Sequence, residues 1–101
     1  MRIVNSEEFL EVTKNGLVLV DFFANWCGPC RMLSPVLEEL EEEIDSLTIV
    51  KVDTDENGQL AAKYGVQSIP NMIVFKDGKA VDRMVGFRPK DDLLETIEKY
   101  L

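Results

Sequence analysis

Histidine is absent from this chain, and cysteine and tryptophan are scarce: the 101 residues include two cysteines and one tryptophan. A structural zinc site needs four ligands, usually from cysteine and histidine, and here a single cysteine pair would need carboxylates to complete it. An iron–sulfur cluster lacks ligands by the same count. The composition therefore argues against a structural metal centre.

Basic residues are outnumbered, and no long apolar run is present. With 11 lysines and arginines against 19 aspartates and glutamates, the formal net charge is −8, which opposes binding to a polyanionic nucleic acid. No window approaches the roughly 18 apolar residues of a membrane span, and the N-terminus carries no basic segment followed by an apolar run. We expect a cytoplasmic protein that binds neither nucleic acid nor membrane.

The length and composition are typical of one folded unit. A chain of this size matches a common domain, and 46% hydrophobic with 30% charged residues is ordinary for a globular protein. We therefore predict a single domain over residues 1–101, present as a monomer. The expected compartment is reducing, where permanent disulfides are rare, so the cysteine pair is expected to cycle or to bind metal.

The chain opens with a helix and a buried strand. Asn5 and Glu8 have the spacing of a capping box at the start of a helix that Gly16 ends. The apolar run at 17–24 predicts a central strand that is covered on both faces. Asp21 is the only charge in that run, so its position needs an explanation.

Helices and strands continue to alternate after the cysteines. Apolar residues at three- and four-residue intervals predict a helix over 29–44, kinked at Pro35. A second strand follows at 47–55, and a short helix spans 57–64.

The last third of the chain predicts a hairpin and a final helix. Asp77 and Gly78 suit the tight turn of an antiparallel hairpin, because both tolerate positive φ. Pro89 opens a helix whose apolar stripe extends to Leu101. The predicted order is αβαβαββα, with an additional short strand at 3–4. This is an α/β fold with a central mixed sheet of four to five strands sandwiched by four helices.

The two cysteines, Cys27 and Cys30, belong to the stretch NWCGPCR at 25–31. As a structural clip, a disulfide that closes so short a loop removes only about 2 kcal/mol of unfolded-state entropy. As a redox pair, the cysteines stand where a strand ends and a helix begins, and a helix N-terminus stabilises a thiolate on Cys27 by up to about 2 kcal/mol. We favour a redox dithiol, while these residues alone leave the clip and the metal site open.

The positions of the two sulfurs predict unequal roles. One turn inside the helix, Cys30 comes within disulfide distance of Cys27 but points inward, so we expect Cys27 to attack a substrate and Cys30 to resolve the intermediate. Pro29 suits the first helical turn, where its missing N–H has no partner to lose. Gly28 leaves the backbone open to an approaching substrate.

The stretch VDFFANWCGPCRMLSP at 20–35 resembles the active site of the thioredoxin family, with agreement from Trp26 to Cys30. The resemblance covers the whole chain, including SIPN at 68–71 and MVGF at 84–87. It implies a thioredoxin fold and a protein dithiol–disulfide oxidoreductase that reduces client disulfides. It also implies renewal of the dithiol by a thioredoxin reductase, a flavoenzyme that draws on NADPH, with no cofactor bound by this chain.

The resemblance also implies roles for residues outside the cysteine motif. Asp21 matches a buried aspartate of the family, where desolvation raises the pKa and the carboxylate relays the proton that Cys30 loses. Lys51 matches a lysine that can pair with this aspartate. Pro70 matches a cis-proline that faces the disulfide.

A shallow apolar patch for client proteins follows from the same resemblance, with the backbone beside Pro70 pairing to an extended client segment. Its residues are Trp26, Gly28, Pro29, Ile69, Pro70 and Gly86. Two positions depart from the family pattern: Phe23 replaces a second tryptophan, and Asn71 replaces a common threonine, which leaves client preference open. The alternative function is a binding or scaffold module that uses this patch without turnover.

Overall fold

Five strands form one sheet in the order β1-β3-β2-β4-β5, and four helices accompany them. A computed structural model describes residues 1–101. The elements are β1 (Arg2–Ile3), α1 (Ser6–Thr13), β2 (Leu17–Phe23), α2 (Gly28–Glu43), β3 (Leu47–Asp53), α3 (Gly58–Lys63), β4 (Asn71–Lys76), β5 (Lys79–Val85) and α4 (Lys90–Glu98). Strands β1, β3 and β2 pair in parallel, whereas β4 is antiparallel to β2 and β5. The predicted mixed sheet with four helices is confirmed.

Strand β2 lies at the centre and is buried on both faces. Its alternating side chains divide between two apolar clusters, one under α2 and α4 and the other under α1 and α3. Leu17 and Leu19 belong to the first cluster, and Val18 and Val20 to the second. By the same alternation, Asp21 points to the α2 side, and it is completely buried there. This placement puts a carboxyl group beneath the helix that carries the cysteines.

The start of α1 follows its sequence signal, but its end does not. The capping box is present, because Asn5 Oδ1 accepts from the Glu8 N–H at 2.9 Å and Glu8 Oε1 accepts from the Asn5 N–H at 3.1 Å. The helix ends at Thr13, ahead of the predicted stop at Gly16. Gly16, with φ of +77°, instead meets the hairpin turn, where its N–H donates to Asp77 Oδ1 at 2.8 Å.

The other predicted element boundaries agree with the structure to different degrees. Helix α2 begins one residue earlier than predicted and continues through Pro35, so the kink there stays a prediction. The hairpin turn is confirmed, because both Asp77 and Gly78 have positive φ. The stripe predicted for the last helix ends too late: α4 stops at Glu98, and Leu101 lies beyond it and is exposed. None of the helices has an apolar stretch that could cross a membrane.

Candidate active site

The cysteine pair sits where β2 passes into α2, and the structure shows it as a disulfide. The Cα atoms of Cys27 and Cys30 are 5.3 Å apart, and both residues are almost fully buried. Cys27 is the N-cap of α2, and its Sγ accepts a hydrogen bond from the Cys30 N–H at 3.2 Å. A sulfur at this position receives both a backbone donor and the positive end of the helix dipole.

The loop that carries Pro70 packs against the disulfide. Cys27 Sγ lies 3.8 Å from the carbonyl oxygen of Ile69, and the Ile69–Pro70 peptide bond is cis, as the resemblance implies. The N–H of Gly86 donates to the Pro70 carbonyl at 2.8 Å, which joins the end of β5 to the same loop. Three segments that are remote in sequence thus meet around the cysteines.

Trp26 lies on the rim of this site. Its side chain is 70% exposed, and its indole Nε1–H donates to Asp55 Oδ2 at 3.0 Å. Pro29 is exposed beside it and Gly28 is half-buried, while Phe87 exposes an apolar side chain after Gly86. Of the other residues predicted for the client patch, Ile69 and Gly86 are half-buried and Pro70 is buried. Asp55 did not figure in the sequence prediction, because nothing local to it points to a residue 29 positions away.

Asp21 is a buried carboxyl group without a hydrogen-bond partner. No part of the residue is exposed, and neither carboxyl oxygen is hydrogen-bonded. Burial raises the pKa of Asp21 from 3.8 to about 7, while the positive charge of Lys51 acts in the opposite direction. A carboxyl group with a pKa near neutrality can both accept and release a proton at physiological pH.

Lys51 stands opposite Asp21 in the parallel pairing of β3 with β2, yet the two side chains form no ion pair within 4 Å. The ammonium group donates instead to the Ser34 hydroxyl at 2.9 Å and lies 4.4 Å from the centroid of the Phe23 ring. The charge of Lys51 therefore influences the pKa of Asp21 without a direct ion pair between the two side chains.

Ser34 is a site residue that sequence reasoning missed. It lies one turn after Cys30 on α2, and its hydroxyl is 3.5 Å from the Cys30 carbonyl oxygen. Helical spacing could have placed it on the face of Cys30, but only the tertiary fold brings Lys51 to it. A cavity of about 90 Å³ opens between these residues, lined in part by Phe23, Cys30, Ser34 and Lys51.

Asn71, the second departure from the family pattern, is buried and bonded on both sides. Its amide nitrogen donates to the Ser68 carbonyl at 3.4 Å, and its amide oxygen accepts from Arg83 at 3.3 Å. Arg83 also donates to the carbonyl of Tyr64 at the end of α3. These bonds hold the loop that carries Pro70 against two neighbouring elements.

Other parts of the molecule present weaker candidates for a functional site. No group of three or more histidine, cysteine, aspartate or glutamate side chains is arranged to hold a metal ion. An open groove of about 340 Å³ runs between α1 and α3, lined by residues such as Leu10 and Lys63, and contains none of the residues around the disulfide. The disulfide with its surrounding loops is the best-supported functional site.

Comparison with known proteins agrees with this site. The thioredoxin family model matches residues 1–99. The chain is 52% identical over 100 residues to the thioredoxin of Chlamydia caviae, covering 99% of this chain and 98% of that protein. It is 54% identical over 96 residues to the thioredoxin of Bacillus subtilis, covering 94% and 92%.

Solved structures give the same result. A mutant thioredoxin from Halobacterium salinarum is 43% identical and superposes with a TM-score of 0.90, covering 98% of this chain and 90% of that chain. The thioredoxin of Fasciola hepatica is 42% identical, with a TM-score of 0.89 and full coverage of both chains. With a buried cysteine pair that forms a disulfide at a helix start, this chain belongs to the thioredoxin family and is a protein dithiol–disulfide oxidoreductase.

Proposed function

We propose that Cys27 is the nucleophile of this oxidoreductase and that Cys30 is the resolving thiol. The observation that carries the assignment is the position of Cys27 as the N-cap of α2, where the Cys30 N–H points at its sulfur. A thiolate at that position is stabilised by the helix N-terminus. Cys30 lies one turn further along, inside α2, and is 2% exposed.

The reaction proceeds by two exchanges. The Cys27 thiolate attacks one sulfur of a client disulfide, forming a mixed disulfide and releasing the second client sulfur as a thiolate, which takes up a proton. Cys30 then loses its proton and attacks the Cys27 sulfur, which breaks the mixed disulfide and frees the first client thiol. Two electrons pass to the client, and Cys27 and Cys30 end as the disulfide.

Asp21 is proposed as the group that takes the Cys30 proton. Its support is a pKa of about 7, which places the carboxylate among effective bases at neutral pH. Its position below α2, opposite Lys51 and beneath the site, is the second support. The cavity lined by Cys30 and Lys51 is large enough to admit water beside the resolving thiol, although Asp21 does not line it.

Client proteins are proposed to dock on the apolar rim made by Trp26, Gly28, Pro29, Ile69, Pro70 and Gly86. The exposed indole and the backbone beside Pro70 support an extended client segment lying across the disulfide. We further propose that this single domain works as a monomer in the cytoplasm. A thioredoxin reductase would renew its dithiol with electrons from NADPH.

The assignment of the two sulfurs is tested by insulin reduction and by trapping. Wild-type protein should accelerate insulin reduction by dithiothreitol, and neither Cys27→Ser nor Cys30→Ser should do so. With a disulfide-bonded client, Cys30→Ser should accumulate a mixed disulfide through Cys27. Accumulation through Cys30 in the Cys27→Ser variant at the same yield would contradict the assignment of unequal roles.

A further inference from the structure

We propose that the hydroxyl of Ser34 is a positioning group, which holds the Lys51 ammonium away from the Asp21 carboxyl group. The proposal deepens the function above and rests on the proposed role of Asp21 in proton transfer. The Ser34 hydroxyl forms no hydrogen bond with the sulfur of either cysteine. It would act through Lys51, and through Lys51 on the basicity of Asp21.

The backbone geometry alone would bring the two charges together. Asp21 and Lys51 are direct partners in the parallel register of β2 and β3, and their side chains lie on the face that α2 covers. Asp21 is completely buried with both oxygens unbonded, and an unpaired buried carboxylate is unfavourable. An unrestrained ammonium would be expected to pair with it.

The structure shows the ammonium elsewhere. Lys51 Nζ donates to Ser34 Oγ at 2.9 Å and lies 4.4 Å from the centre of the Phe23 ring, a position that suits a cation. Its distance from Asp21 exceeds the 4 Å of an ion pair. The Ser34 hydroxyl and the Phe23 ring therefore hold the Lys51 ammonium, while the Asp21 carboxyl group remains without a hydrogen-bond partner.

Ser34 can do this because a hydroxyl group is donor and acceptor at once. Its oxygen accepts from Lys51 while it lies 3.5 Å from the Cys30 carbonyl oxygen, within reach of donation. The hydroxyl thus links Lys51 by hydrogen bonds to the turn of α2 that carries the resolving cysteine. Alanine at this position would preserve the helix and remove the hydrogen bond to Lys51.

Other charged groups around the site do not explain the position of Lys51. Helix α2 contributes Arg31, which donates to the Asn25 carbonyl, and the exposed Glu38, which forms no ion pair. Strand β3 contributes Asp53, whose carboxylate accepts from the Asp55 N–H. The residues paired with Asp21 on β4 and with Lys51 on β1 are uncharged: Met72 and Ile3. The cysteines are joined in the disulfide.

The position of the Lys51 ammonium affects the basicity of Asp21. An ammonium in contact with Asp21 would favour the carboxylate and weaken it as a base, whereas an ammonium held at Ser34 leaves burial as the dominant influence. Burial raises the pKa of Asp21 to about 7, against the weaker influence of Lys51. Ser34 would thereby keep Asp21 able to accept the Cys30 proton near neutral pH.

The test is a titration of the Asp21 carboxyl carbon by NMR in the oxidised protein, which does not depend on turnover. Ser34→Ala should move the Asp21 titration to lower pH by about one pH unit, because the freed ammonium approaches the carboxylate. Ser34→Thr, which retains the hydroxyl, should titrate like wild type. An unchanged or raised titration in folded Ser34→Ala protein would overturn the proposal.

Repeating the Ser34→Ala substitution in protein that lacks the Lys51 ammonium tests whether Ser34 acts through Lys51. In Lys51→Met protein, the additional Ser34→Ala change should leave the Asp21 titration where it is, because there is no ammonium to release. The same downward shift in both backgrounds would mean that Ser34 acts without Lys51, which contradicts the proposal. The rate at which Asp21→Asn protein releases a mixed disulfide near neutral pH, expected to be lower than in wild type, tests the proposed role of Asp21 separately, so the two failures are distinguishable.

Discussion

The indole N–H of Trp26 donates to the carboxylate of Asp55 across 3.0 Å, although the two residues are 29 positions apart in the chain. Trp26 is 70% exposed, so packing alone does not fix the orientation of its ring. The hydrogen bond joins the loop before α2 to the loop after β3. The bond restrains an exposed aromatic side chain beside Cys27, where we propose that clients dock, before any client binds.

Removing this bond should loosen the rim of the site. We expect Asp55→Ala to lower the fluorescence anisotropy of Trp26, which is the only tryptophan and so reports without interference. The KM for a protein client should rise while the free energy of unfolding changes by less than about 1 kcal/mol, because the bond is exposed. Steady-state insulin reduction and time-resolved anisotropy measure the two effects.

Glu56→Ala is the matched control for that change. Glu56 is the exposed neighbour of Asp55, forms no side-chain hydrogen bond or ion pair, and carries the same charge. Its removal should leave both the anisotropy and the KM as in wild type. Equal effects of the two variants would show that net charge, and not the hydrogen bond, governs the rim.

The buried carboxyl of Asp21 should make stability depend on pH. Its pKa is about 7 in the folded protein against 3.8 for an unperturbed aspartate, so the folded state binds more protons between those pH values. The contribution of Asp21 to the free energy of unfolding should therefore be most favourable at low pH and should decrease as pH rises from about 4 to about 7. Above about 7 the loss is complete, on the order of 4 kcal/mol.

Replacing Asp21 removes that dependence. In oxidised Asp21→Asn protein, urea unfolding should show a decrease in the free energy of unfolding with pH that is smaller than in wild type by about 4 kcal/mol. The stability of the variant relative to wild type should therefore increase as pH rises. Asp45→Asn, at an exposed position in the turn after α2, serves as the control and should follow the wild-type curve. Parallel curves for wild type and Asp21→Asn would contradict the pKa of about 7.

The glycine that meets Pro70 should be sensitive to a side chain. Gly86 has φ of +88°, a left-handed conformation that costs a residue with a Cβ about 1–2 kcal/mol. Gly86→Ala should therefore lower the free energy of unfolding by about that amount. It should also raise the KM for a protein client, because the strain at residue 86 would displace its N–H from the Pro70 carbonyl beside the disulfide.

Gly58→Ala provides the control for this substitution. Gly58 is the first residue of α3, has no positive φ, and has open space where a Cβ would stand. Alanine there should leave stability unchanged or raise it by up to about 1 kcal/mol. If both glycine variants were destabilised equally, backbone conformation at Gly86 would not be the cause.

The cap of α1 offers a test remote from the chemistry. Asn5→Ala removes one half of the capping box and should cost about 1 kcal/mol of stability without altering insulin reduction. Asn15→Ala, at an exposed position where Asn15 makes no side-chain hydrogen bond, should change neither quantity. Urea denaturation with a parallel activity assay distinguishes a lost cap from a general surface effect.

Local patterns were sufficient where a short stretch of chain sets its own structure. The capping box at Asn5 and the turn at Asp77 depend on residues that are adjacent or one turn apart. Helix ends were less predictable. The sequence predicts that Gly16 stops α1, but the Gly16 N–H donates to Asp77 in the hairpin turn, so a tertiary contact determines its position.

The sequence by itself determined the layered fold, the place of the cysteine pair at a helix start, and the family, because periodicity and short motifs are local in the chain. The tertiary structure decided which polar groups meet. Trp26 bonds to Asp55, and Lys51 bonds to Ser34 instead of Asp21, because strand register and helix packing bring distant side chains within 3 Å. Register fixes which residues are neighbours, but only side-chain packing selects the partner that an ammonium group finally reaches.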